Sequence, residues 1–135
     1  MLSVVLIDDE ELAISELEHL IGRIPGVKVT GKYTDSRKAL VDLAAGLDPD
    51  VIFLDIDMPG LDGVTLAECI NMMKINPFIV FATVSPEHAL KAFELEAVDY
   101  LRKPFSESRL NVTIDRIRKR KSAHPREKDP RETVK

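Results

Sequence analysis

Four places in this 135-residue chain set a chemically capable side chain at or just beyond the end of an apolar run. Asp8 and Asp9 follow VVLI, Asp55 follows VIFL, Thr83 follows FIVFA, and Lys103 comes just after AVDYL. Three carboxylates, a hydroxyl and an ammonium belong to one kind of site. Crowded carboxylates are costly unless a cation compensates them, and a hard dication with oxygen ligands suits them best. A magnesium site, which keeps several waters, needs only one or two protein carboxylates plus a substrate oxygen. A carboxylate beside such an ion can act as a nucleophile toward phosphorus and form an aspartyl phosphate. The ion and a lysine then neutralise the phosphoryl oxygens, and a hydroxyl such as that of Thr83 can donate to another.

These residues meet only if the runs before them are strands of one parallel sheet. Residues 3–7, 51–55, 78–83 and 98–101 are short apolar runs, as strands buried on both faces are. Residues 27–33 alternate and suit a strand with one polar face. Between the strands, Leu12, Leu17, Leu20, Ile21 and Ile24 follow helical spacing up to the stop at Pro25-Gly26. Asp35 can cap a helix over 36–45, stopped by Gly46. Leu66, Cys69, Ile70 and Met73 share one helical face, 87–95 forms another helix, and Leu110, Ile114 and Ile117 stripe a last one from near Ser106. Strand and helix alternate five times. That order predicts a doubly wound α/β fold, a five-stranded parallel sheet with helices on both faces. Such sheets bind ligands outside the carboxyl ends of their strands, where the chemically capable residues stand.

Composition narrows the function further. Hydrophobic residues make up 44% and charged residues 31%, which suits one globular domain. No apolar run is long enough to cross a bilayer, and residues 1–7 lack the basic start of a signal peptide. The single Cys69 excludes an internal disulfide framework and a multi-cysteine zinc site, so a reducing cytoplasm is the expected compartment. Residues 116–135 carry nine Lys and Arg against three acids, whereas residues 1–115 carry ten against twenty. An acidic body repels nucleic-acid phosphate, so no direct nucleic-acid binding by the domain is expected. The boundary falls at residue 121, with 122–135 expected to be a disordered, basic, proline-containing tail or linker.

Four segments in order, VVLIDDEELA, VIFLDIDMPGLDG, FATVS and AVDYLRKPF, closely resemble the receiver domains of two-component response regulators. The resemblance covers residues 1 to about 120. It implies the flavodoxin- and CheY-like strand order 2-1-3-4-5, with Asp55 as phosphoacceptor for a sensor histidine kinase. It also implies Asp8 and Asp9 as the acidic pair for Mg2+, with the backbone carbonyl of Asp57 and Asp55 itself completing the protein ligands. Thr83 matches the switch hydroxyl, Tyr100 the switch aromatic, Lys103 the phosphate-pairing lysine, and Lys103-Pro104 the family's cis peptide. EHALKAFELEAVDYLRKPF looks most like the LytTR class, whose receivers precede a DNA-binding domain. This chain is therefore expected to be cut from a two-domain regulator of transcription. Val84 stands where the family commonly has alanine, at a position that gates the phosphoryl site.

Simpler readings compete. Asp9 could cap the first helix, Cys69 fill a core position, and the run 116–121 (RIRKRK) merely complement a helix C-terminus. Widely spaced His19, His88 and His124 offer no metal site. A Mg-dependent phosphatase of the haloacid dehalogenase type is the enzymatic alternative, with Asp55 and Asp57 as nucleophile and acid. That family, however, places its further acidic pair after the lysine, and here Asp8 and Asp9 precede everything. The signalling reading expects a chain that catalyses only its own phosphorylation and dephosphorylation, and a switched face made by helix 4, strand 5 and helix 5. Lys91, Glu94, Asp99, Arg102 and Arg116 on that face suggest a weak, salt-sensitive homodimer.

Overall fold

Alternating side chains on the central strands decide the architecture, because each such strand must be covered on both faces. The computed structural model describes residues 1–123, in the order β1 (Leu2–Ile7), α1 (Glu11–Ile21), β2 (Val27–Tyr33), α2 (Ser36–Ala44), β3 (Val51–Leu54), α3 (Gly63–Asn71), β4 (Phe78–Thr83), α4 (Ala89–Glu94), β5 (Asp99–Arg102) and α5 (Glu107–Ala123). All neighbouring strands pair in parallel, and their order is β2-β1-β3-β4-β5. This is the expected doubly wound sheet.

Val4, Leu6, Phe53, Val80 and Ala82 turn to one face and pack with Ile14, Ile21, Leu110, Ile114 and Ile117 of α1 and α5. Their neighbours Val5, Ile7, Ile52, Leu54, Ile79 and Phe81 turn to the other, against Ala39, Leu43, Leu66, Ile70 and Ala92. Burying each such side chain is worth about 1.5–3 kcal/mol, and the period of two divides that gain between the layers. Strand β2 lies at the sheet edge and alternates half-buried with exposed residues, as its mixed sequence requires.

Three expectations need correction. Leu12 is 70% exposed, and Ile14 takes its place in the core. At 3.6 residues per turn Leu12 lies about 180° around the helix from buried Ile21, so it could not have faced the sheet. Helix α4 is shorter than residues 87–95: it starts at Ala89, behind Pro86 and a His88 whose side chain makes no cap bond. Helix α5 runs through Ser122 and Ala123, past the expected boundary at 121; the rest of the expected tail, with His124, lies outside the described residues.

At the opposite edge of the sheet from the strand carboxyl ends, Asp50 accepts from the Ser3 N–H (2.9 Å) and from Lys121 Nζ (3.1 Å). Burial pushes its carboxyl up, but these bonds outweigh burial and hold it below the usual range. Arg118 donates to the Pro25 carbonyl, and Arg116 pairs with Asp99 at 3.2 Å. Three cations of the RIRKRK run thus anchor α5 to its own domain. No helix among the described residues is long and apolar enough to cross a membrane.

Candidate functional site at the strand carboxyl ends

Parallel strands deliver their C-terminal residues to one edge, and backbone bonds fix that edge in place. The Asp55 N–H donates to the Ile7 carbonyl (3.0 Å), so the residue ending β3 sits beside the end of β1. The Lys103 N–H donates to the Thr83 carbonyl (2.8 Å), which does the same for β4 and the turn after β5. The Lys103–Pro104 peptide is cis, as the resemblance implied.

Asp8, Asp55 and Thr83 are all buried at this edge. Asp8 Oδ1 accepts from the Glu10 N–H at 3.0 Å, and Oδ2 accepts from Lys103 Nζ. The same ammonium stands 3.7 Å from Asp55 Oδ2. Burial is the largest influence on Asp55 and pushes its carboxyl up; Lys103 opposes that, Asp8 reinforces it, and the net shift is upward. Burial pulls Lys103 down, yet the Asp8 bond and the Asp55 charge win and hold it protonated.

Asp9 is exposed, and carboxylate oxygens of Asp8, Asp9 and Glu10 lie within 4.8 Å of one another. An all-oxygen, acidic donor set of this kind fits a hard dication. Glu10 is not among the ligands that the resemblance implies. Asp9 does not cap α1: Glu10 is the N-cap residue, without a side-chain cap bond. A cavity of about 290 Å³ reaches Asp55 past Asp8, Val84, Lys103, Pro104 and Phe105. Val84, 63% exposed, stands at its edge.

Gly63 shapes the loop above the site. Its N–H donates to the Ile56 carbonyl (2.9 Å), and a Cβ built on it would lie 2.1 Å from the Asp55 carbonyl oxygen. Only glycine lets α3 begin this close to the end of β3. Asp62 caps the helix by accepting from the Thr65 N–H at 2.8 Å.

Asp57 does more than the backbone role assigned to it. Its N–H donates to Asp55 Oδ1 at 3.4 Å, while its own Oδ2 accepts from Thr83 Oγ1 (3.3 Å) and from the Ser85 hydroxyl. His88 Nε2 approaches Oδ1 at 3.9 Å. Tyr100 is half-buried, its ring centroid 6.4 Å from that of Phe81, and its hydroxyl donates to the Ser85 carbonyl. Ser85 had no assigned part. The available signal was the hydroxyl pair Thr83 and Ser85 at a spacing of two, on either side of exposed Val84 in the bend that follows β4.

The face made by α4, β5 and α5 also differs from its expected character. Asp99 is buried and accepts from both Arg109 nitrogens (2.9 and 2.7 Å) and from Thr113 (2.8 Å), besides its pairing with Arg116. Lys91 pairs with Glu68 at 3.6 Å. Three of the five charges expected to serve a partner are thus used internally, whereas Leu90 and Phe93 stand 73% and 79% exposed.

Residues 4–115 match the family model for the response regulator receiver domain. The chain is 40% identical over 123 residues to the sensory transduction protein LytT of Bacillus anthracis, covering 91% of this chain and 50% of that protein. It is 42% identical over 116 residues to the transcriptional regulatory protein YpdB of Escherichia coli K12, covering 86% of this chain and 47% of the other. The chain spans about half the length of these curated relatives. Among solved structures, the response regulatory domain of protein mrkE from Klebsiella pneumoniae superposes with a TM-score of 0.79 at 43% identity, over 90% of this chain and 96% of that one.

Proposed function

We propose, from the premise that this chain belongs to the response regulator receiver domains of two-component systems, that it takes a phosphoryl group from a sensor histidine kinase onto Asp55. One observation carries the reading: a buried carboxylate ends the central strand 3.7 Å from a lysine ammonium, beside an acidic cluster. An Asp55 carboxylate oxygen attacks the phosphorus of a phosphohistidine. The new P–O bond forms as the P–N bond breaks, and the electron pair returns to the imidazole nitrogen. Lys103 faces the developing charge, and the Thr83 hydroxyl is placed to donate to a phosphoryl oxygen.

Asp8, Asp9 and Asp55, with the Asp57 carbonyl, would hold Mg2+, and the proximity of Glu10 adds to that negative field. When bound, magnesium supplies positive charge against the phosphoryl oxygens. Phosphorylation would then alter the face of α4, β5 and α5 through Thr83 and Tyr100. In the cytoplasm that face would control an output, by analogy with the LytTR class a DNA-binding domain, with no nucleic-acid contact by the receiver itself. A weak homodimer through this face remains part of the proposal, now resting on Leu90 and Phe93 rather than on exposed ion pairs.

The test is incubation with acetyl phosphate and intact-mass measurement. Wild type should gain one phosphoryl group with magnesium and none with EDTA, and Asp55→Asn should gain none. An equal gain in the variant, or indifference to EDTA, would overturn the assignment. Sustained turnover of p-nitrophenyl phosphate would point to a phosphatase instead.

A further inference from the structure

Thr83 has one hydroxyl proton, and the Asp57 carboxylate takes it: Oγ1 lies 3.3 Å from Asp57 Oδ2. A threonine hydroxyl donates once, so it cannot serve Asp57 and a group on Asp55 together. The lone-pair side is engaged too, since the Ser85 N–H donates to Thr83 Oγ1 at 3.3 Å. Ser85 in turn gives its hydroxyl proton to the same Asp57 oxygen and its carbonyl to the Tyr100 hydroxyl.

Resting on Asp55 as the phosphoacceptor, we propose that the Asp57 side chain, pinned by the Ser85 hydroxyl, is a positioning residue that keeps the Thr83 hydroxyl turned away from Asp55 until a phosphoryl group outcompetes it. The backbone carbonyl of Asp57 is a separate group, so substitution of its side chain leaves that carbonyl in place. A phosphoryl oxygen is a charged acceptor like the carboxylate it displaces, and the balance between them sets how readily the switch turns. When Thr83 leaves Asp57, Ser85 loses a neighbour on its anchoring carboxylate. Its carbonyl accepts from the Tyr100 hydroxyl, which ties the ring to the same loop.

The experiment measures the affinity for beryllofluoride with magnesium in wild type, Asp57→Ala, Ser85→Ala, Thr83→Val and the Asp57→Ala/Thr83→Val double variant. Asp57→Ala should tighten binding about tenfold, the worth of one hydrogen bond to a charged group. Ser85→Ala changes no charge and should tighten binding in the same direction. In the Thr83→Val background the part of the gain that runs through the hydroxyl disappears, giving a coupling between positions 57 and 83. Strict additivity of the two substitutions would overturn the proposal. A second readout needs no phosphoryl chemistry: the Thr83 χ1 couplings by NMR in the unliganded protein should report one rotamer in wild type and averaging in Asp57→Ala. Unchanged couplings would also overturn it. If wild type fails to bind beryllofluoride, the phosphoacceptor reading falls while the rotamer measurement still decides on the Asp57 contact.

Discussion

Lys103 joins two carboxylates: its ammonium donates to Asp8 and stands 3.7 Å from Asp55. The positive charge of Lys103 lets two buried acids share one edge of the sheet. Its two roles, relieving the resting site and receiving the phosphoryl charge, can be separated by experiment.

Lys103→Ala should abolish phosphorylation from acetyl phosphate yet bind magnesium at least as tightly as wild type, because Asp8 loses its ammonium partner and gains a free acceptor. Asp9→Ala should weaken magnesium by about tenfold or more, since even an outer-shell partner at a metal site is worth about 10–100-fold. Titrations followed by NMR check both. Weaker magnesium binding by Lys103→Ala, or wild-type affinity in Asp9→Ala, contradicts the division of roles.

Asp55 carries a stability cost at neutral pH. Its carboxyl is raised in the folded state, mainly by burial. A raised folded value means that the folded protein holds the proton more tightly, so the contribution is favourable below the ordinary aspartate range and is lost as pH rises through the folded value. Asp55→Asn should therefore raise Tm by a few degrees at pH 7 in EDTA, and the gain should shrink toward pH 3.5. Thermal melts across that range test it. A gain that grows as pH falls would reverse the sign.

Gly63→Ala should cost about 3 kcal/mol, the upper end for overpacking, since the clash is with the Asp55 backbone and not with a side chain that can swing away. The phosphorylation rate should fall with it, because relief requires moving either α3 or the acceptor strand. Gly46→Ala makes a useful control: no atom lies within 4 Å of its Cβ, and its cost comes from the positive φ alone. Urea titrations with matching m-values would give both figures. A neutral Gly63→Ala would show that the loop is free to shift.

Phe93→Asp should abolish any dimer formed in beryllofluoride, and high salt should not. Leu90 and Phe93 are the exposed apolar side chains of α4, while Asp99 and Lys91 already have partners within the domain. Sedimentation velocity at low and high salt separates the apolar from the ionic contact. Dissociation by salt alone would return the interface to the charged residues.

The sheet and most of the candidate site were readable because both depend on local rules. Strands buried on two faces read as apolar runs, and the polar residue that ends each one is visible as an abrupt change of type. Asp8, Asp55 and Thr83 come together for that reason. The side-chain bonds of Asp57 were not readable, because they depend on how the loop after β3 leans toward the loop after β4. Asp99 was misread for a related reason. A single acid in a short strand looks exposed until Arg109 and Arg116 from α5, ten and seventeen residues later, arrive over it. Leu12 is a different failure, since its position around α1 relative to Ile21 was calculable from the helical period alone.

The order of strands in the sheet has a consequence for how the protein is made. Strand β1 lies between β2 and β3, so its acidic end and that of β3 can be side by side before the last quarter of the domain has been synthesised. The contact between Asp8 and Lys103 spans 95 residues and waits for β5 to pair with β4. Chains emerge from the ribosome N-terminus first, and such distant pairings form late because loop closure must precede them. Any arrangement that pairs β1 with β3 before β5 docks on β4 sets Asp8 beside Asp55 without the lysine. In such an arrangement dissolved cations would offset their charge.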